Sequence, residues 1–126
     1  MAEAAQAEYE KIAKSARIEP PPPMDSFQLS PMFQVPLADT DSTRTLILES
    51  SLGYPPEKPE TGRAIERRHA ELRDLLEKIL RSKSSSDLDS VQGRLVLREE
   101  MAAAVNAALK NDGFVKEVYF SRFEVK

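Results

Sequence analysis

Apolar residues alternate with polar ones over residues 26–52, recur every three to four residues from 62 to 109, and alternate again over 114–125. These switches of period make the chain an α+β protein, with two helices packed on a small mixed β-sheet in the order β-β-α-α-β. Proline placement supports the same layout. All nine prolines lie between Pro20 and Pro59, and because proline removes a donor and clashes inside helices, only the second half is open to long helices.

A chain of 126 residues holds about one domain and can build a core without staples. With 40% hydrophobic and 31% charged residues, it has a globular rather than a disordered composition. The formal charge of −3 lacks the positive field of a nucleic-acid binder. The absence of cysteine removes thiol catalysis and every cysteine-based metal site. The single histidine, His69, falls short of the two or three that a histidine metal site uses. No metal ligand set and no cofactor is therefore expected. The longest apolar run, residues 101–105, is far below the roughly 20 residues of a bilayer span. Neither the basic nor the apolar region of a signal peptide is visible.

Residues 1–19 are rich in Ala, Glu and Lys and suit a short helix. Pro20 to Pro23 follow as an extended spacer, so residues 1–25 are expected to be a linker and 26–126 the domain. The first strand alternates Phe27, Leu29, Phe33, Val35 and Leu37 with polar neighbours. Pro31 and Pro36 restrict it to an edge or a bulged position. Residues 38–43 (ADTDST) form a turn of side chains suited to bonding their own backbone. The second strand places Leu46, Leu48 and Leu52 on one face and Ile47 on the other, which predicts an antiparallel hairpin.

From Gly62 a helix is expected, with Thr61 as N-cap. Ile65, Leu72, Leu75, Leu76, Ile79 and Leu80 form its apolar stripe. Arg67, Glu71, Asp74, Lys78 and Arg81, mixed in sign, lie opposite. After the polar stretch 82–86, Leu95, Leu97, Met101, Ala104, Val105, Ala108 and Leu109 share a broad face of the second helix. Ser86 and Asp89 read as its capping residues. Gly113 suits a left-handed helix terminus. The last strand, over residues 114–125, carries apolar residues on both faces, Val118 and Phe120 against Val115, Tyr119, Phe123 and Val125, and is expected to be internal.

No constellation carries catalysis. His69 borders the apolar stripe without a partner acid at a diagnostic spacing, and reads as a half-buried helix histidine. Asp87, Asp89 and Gln92 lack the later ligands of a calcium loop. The four glycines, Gly53, Gly62, Gly93 and Gly113, are too dispersed for a phosphate-binding loop. Arg63, Arg67 and Arg68 form a basic cluster interleaved with Glu66 and Glu71, which reads as a solvated face. Their place in the first turns of a helix would oppose its dipole, a puzzle that favours a partner. The residues thus indicate a non-enzymatic binding or assembly domain.

The stretch LRDLLEKILRSKSSSDLDSVQGRLVLREEMAAAVNAAL (72–109) resembles the helical core of the FliL family of flagellar basal-body-associated proteins. The matching features are Arg73-Asp74, Ser82-Lys83-Ser84, Asp87-Leu88, Gly93, Leu97-Arg98-Glu99-Glu100 and Asn106. The ending KEVYFSRFEVK (116–126) is similar to the family's last strand, and FQLSPMFQVPLAD (27–39) and RTLILESSLGY (44–54) match its first two more loosely. Pro36 stands where that family commonly has asparagine.

The resemblance implies a fold like the stomatin/prohibitin (SPFH) domain. It also implies a periplasmic position on a bacterial inner membrane, through a single transmembrane helix that this chain does not contain. The implied partners are further copies, in a ring, and the MotA–MotB stator of the flagellar motor, with the basal-body MS ring as another. The ring would keep the stator active and support torque, motility and chemotaxis. Expected contact positions are Tyr54, Arg67, Glu71 and Asp74. The alternative is a general stomatin-like membrane scaffold not tied to flagella.

Overall fold

The computed structural model describes residues 24–41 and 43–126. The expected helix over 1–19 and the proline spacer lie outside the described residues. Strands β1 (Asp25–Pro36) and β2 (Thr45–Tyr54) are followed by helices α1 (Glu60–Arg67), α2 (His69–Arg81) and α3 (Val91–Leu109), and by strand β3 (Glu117–Val125). The α+β class and the β1–β2 hairpin are as expected. Two features of the expected architecture are corrected: the sheet is antiparallel throughout rather than mixed, and among the described residues three helices rather than two cover it.

The helix expected from Gly62 onward breaks at Arg68, whose φ of −107° and ψ of 19° leave the helical region. The apolar stripe supplies the reason. One turn beyond Ile65 it reaches Arg68, and a guanidinium there must leave the core. The break carries its Nη2 to Asp112, at 3.0 Å, while its Nε stays buried without a partner among the described residues. Helical bonds continue across the break, from Arg68 N to Ala64 O and from Leu72 N to Arg68 O. Leu72, Leu76 and Leu80 of α2 then return to full burial beside Ala64 and Ile65.

β1 is an edge strand and also bulged. Leu29 pairs with Ser50 and Phe33 with Leu48, so residues 30–32 stand against Glu49 alone. β3 is the other edge, not the internal strand expected from its two apolar faces. A bulge accounts for its pattern. Phe120 pairs with Ser50 and Arg122 with Glu49, so Ser121 is the extra residue and inverts the alternation. Val118, Phe120, Phe123 and Val125 therefore all reach the core side, while Tyr119 is 42% exposed on the other.

One core joins Leu29, Phe33, Leu46, Leu48 and Leu52 of the sheet to Leu97, Met101, Val105 and Leu109 of α3 and to the stripes of α1 and α2. Burying each such side chain contributes roughly 1.5–3 kcal/mol. Leu95 is not part of it, being 38% exposed. α2 lies against β1 and α3 against β3.

The chain's turns also differ in detail from the local expectations. α1 begins at Pro59 with no side-chain cap. Thr61 is inside the helix, fully buried, and its Oγ1 accepts from Phe114 N at 3.1 Å. Ser90, rather than Ser86 or Asp89, caps α3 by accepting from Gly93 N at 2.9 Å. Lys110, at φ 56°, takes the left-handed position expected of Gly113. Gly113 is required for a different reason: a Cβ there would lie 2.8 Å from Thr61 Cα.

Candidate functional site

Helical spacing explains the clearest charged surface. Residues 67, 71, 74, 78 and 81 are separated by steps of four and three, which keeps them in one line on a helical surface. All of them, Arg67, Glu71, Asp74, Lys78 and Arg81, are exposed. The acidic pair occupies the N-terminal half of α2 and the basic pair its last turn, each complementing the helix dipole. Arg67 lies in the last turn of α1, where a cation is favoured. The dipole conflict expected for this arginine therefore disappears with the helix break.

The stripe is sparsely neutralised from within the chain. Glu71 approaches Arg68 at 3.7 Å. Among the described residues, Arg67, Asp74, Lys78 and Arg81 enter no ion pair. Glu71 and Asp74 thus share a surface, with Arg67 next in line across the break. Tyr54 stands apart from them. It ends β2, half-buried, with its hydroxyl packed against Gly62 of α1. His69 is half-buried as expected, with its ring 5.8 Å from that of Phe27.

A second polar group joins the β1–β2 turn to the α2–α3 junction. Asp39 accepts from Ser85 N at 2.7 Å on Oδ1 and from Ser85 Oγ at 2.6 Å on Oδ2, and Arg44 Nε lies 3.4 Å from that same Oδ2. The turn was expected to satisfy its own backbone; instead Asp39 holds a segment 46 residues away. Ala38 N adds a bond to Lys83 O at 2.8 Å. The Ser85 bonds, chiefly, keep the Asp39 carboxyl below its ordinary value of 3.8. Asp87 is lowered in the same way by Ser84, whose N donates to it while Ser84 Oγ accepts from Asp87 N. Near the chain's end, Asn106 clasps Val115 in both directions, at 2.7 and 2.9 Å. Sequence spacing signalled neither the Asp39–Ser85 nor the Asn106–Val115 link, because each joins elements brought together by the fold, whereas the Ser84–Asp87 bonds are local to one turn. The short ADTDST and SSSD runs were their only trace.

The described residues contain no group of three or more metal-ligating side chains, and no helix among them is long and apolar enough to cross a membrane. What the surface offers is a line of exposed charges of both signs on α1 and α2.

Comparison with known proteins identifies a family. A model of the family described as flagellar basal body-associated protein FliL matches residues 26–125. A flagellar protein FliL of Aquifex aeolicus (strain VF5) is 27% identical over 113 residues, covering 90% of this chain and 68% of that protein.

Proposed function

The chain belongs to the FliL family of flagellar basal body-associated proteins, and on that premise we propose that its domain self-associates into a ring around the MotA–MotB stator. In this reading the ring holds the stator in its active state and so supports torque. The domain stands in the periplasm, anchored to the inner membrane by a helix outside this chain, with an SPFH-like fold. Helices layered on one face of an antiparallel sheet support that fold assignment.

The observation that carries the reading is the stripe on α1 and α2. Its acidic half and basic half are complementary to each other between copies, and few of its charges are paired among the described residues of one copy. A head-to-tail contact of this kind closes into a ring when its rotation allows. Each exposed pair contributes only about 0–1 kcal/mol. Membrane tethering would raise the effective concentration enough for such weak contacts to matter.

The test is solution mass by light scattering over a concentration series, for the chain alone and with a membrane anchor restored in detergent. A defined oligomer is expected with the anchor, lost in Glu71→Lys/Asp74→Lys and regained when Lys78→Glu/Arg81→Glu is mixed with it. A strict monomer in both forms would sink the ring.

A further inference from the structure

The helical layer is wider than the sheet beneath it. Two helices side by side span about 20 Å, whereas three strands span roughly 14 Å. α3 lies over β3, the terminal strand, and a cleft of 310 Å³ opens between Leu95, Arg98 and Ala102 of α3 and Val118 of β3. A second, of 380 Å³, is lined by Arg94 of α3 and by Phe123 and Val125 of β3. Beside them α3 leaves Leu95 38% exposed and Val91 83% exposed. Among the described residues no strand pairs with the outer edge of β3. Lys126 exchanges both backbone bonds with Thr45, each at 2.9 Å, so alternation points the N–H and C=O of Val125 and Phe123 away from β2. No proline interrupts β3, in contrast to β1 with Pro31 and Pro36.

The charge on this flank has an unusual arrangement. The Arg94 guanidinium lies 4.7 Å over the Phe123 ring and that of Arg98 lies 5.8 Å over Phe120. Arg94 Nε donates to Leu88 O at 3.0 Å. Among the described residues neither arginine pairs with a carboxylate. The rings orient the two forks and leave most of their donors open. Advancing from Arg94 to Arg98 runs back from Phe123 to Phe120, so helix and strand are antiparallel. Four helical residues advance about 6 Å, and two residues of an extended strand advance about 6.6 Å.

We propose that the open edge of β3 takes an extended acidic segment of another protein as a fourth strand, with carboxylates at alternate positions received by Arg94 and Arg98. Main-chain bonds supply pairing and the arginine forks supply specificity. Leu95, Ala102 and Val118 take apolar side chains of the added strand. Asp89, Glu99 and Glu117 also border the clefts and repel further acids, which limits the motif to two carboxylates flanked by apolar residues. The site is on the opposite flank of the helical layer from the α1–α2 stripe and does not depend on ring formation.

The probe is a dye-labelled peptide, Ser-Leu-Thr-Glu-Thr-Glu-Thr-Leu-Ser, titrated with the full chain by fluorescence anisotropy. Two control peptides replace both Glu by Gln, or move them three residues apart so that they face opposite sides. Each control is expected to bind about tenfold more weakly or worse, as loss of a charge-assisted bond predicts. Arg94→Gln and Arg98→Gln should bring the acidic peptide to the level of the Gln control. The Phe123 and Val125 amides should gain protection from hydrogen exchange in the complex. Val125→Pro, which removes an outward N–H and keeps the bonds to β2 while trimming a core-side valine, should weaken all binding, with thermal melting checking its fold. Equal binding of the three peptides, or none, would overturn the proposal, as would acidic-peptide binding without amide protection. A concentration-dependent dimer abolished by Val125→Pro would also overturn it, by making a second copy the occupant.

Discussion

The polar residues of this domain fall into two regions that look alike in composition and behave differently. In the seam between loops and helix ends, Thr61, Asp39, Ser85 and Asn106 bond partners on other elements. On the outer stripe, Arg67, Glu71, Asp74, Lys78 and Arg81 face outward. Side chains in the seam answer backbone groups withdrawn from water, so losing one leaves an unsatisfied group. The stripe residues remain hydrated, and losing one costs the single chain little. The seam therefore holds the fold, and the stripe is free to serve association.

Breaking the seam should give the largest effects. Asn106→Ala strands the N–H and C=O of the buried Val115 and is expected to destabilise by about 2–4 kcal/mol, measurable by urea unfolding. Gly93→Ala should cost about 1–3 kcal/mol, because its new Cβ would collide with the Asp87 carbonyl, and the same unfolding experiment reads it. Thr61→Val, which removes the acceptor of Phe114 N, should cost about 1–2 kcal/mol.

Acid sharpens the contrast. Asp39 and Asp87 have folded-state values lowered below their ordinary 3.8, so the unfolded chain binds protons more readily there. Their stabilising contribution is complete above the ordinary carboxylate value and is lost as pH falls through the lowered one. Glu124, lowered chiefly by its hydrogen bonds from Arg122, acts in the same direction. Melting temperature should therefore fall more steeply below about pH 4 in the wild type than in Asp39→Asn, which starts lower and is flatter. The smallest effect belongs to the stripe. Asp74→Lys should change unfolding free energy by no more than about 0.5 kcal/mol while weakening any assembly seen by light scattering. A large loss of stability there would erase the distinction between the two regions.

This contrast also explains what could be read from the chain. The hairpin, the bulged edge position of β1 and the leucine stripes follow from local periodicity and proline chemistry. The exposed line of Arg67, Glu71 and Asp74 follows from helical spacing. The break at Arg68 was hidden because the leucine stripe resumes in register beyond it. The Ser121 bulge was hidden as well, since an inverted alternation imitates a strand buried on both faces. The bonds of Asp39 to Ser85 and Asn106 to Val115 join elements whose proximity only the tertiary structure creates.

The strand order has a consequence in time. β2 is the central strand, yet its partners come from opposite ends of the domain: β1 is separated by a short turn, whereas β3 pairs at separations near 70 residues, as from Ser50 to Tyr119. During synthesis the hairpin can close early, but the second side of β2 waits for nearly the whole domain. Until β3 arrives, Leu46, Leu48 and Leu52 lie on a strand with one bare edge, the state most prone to pair wrongly. The closing step of folding is thus the docking of the C-terminal strand, and a chain shortened before Phe114 should collect in aggregates instead of completing the sheet.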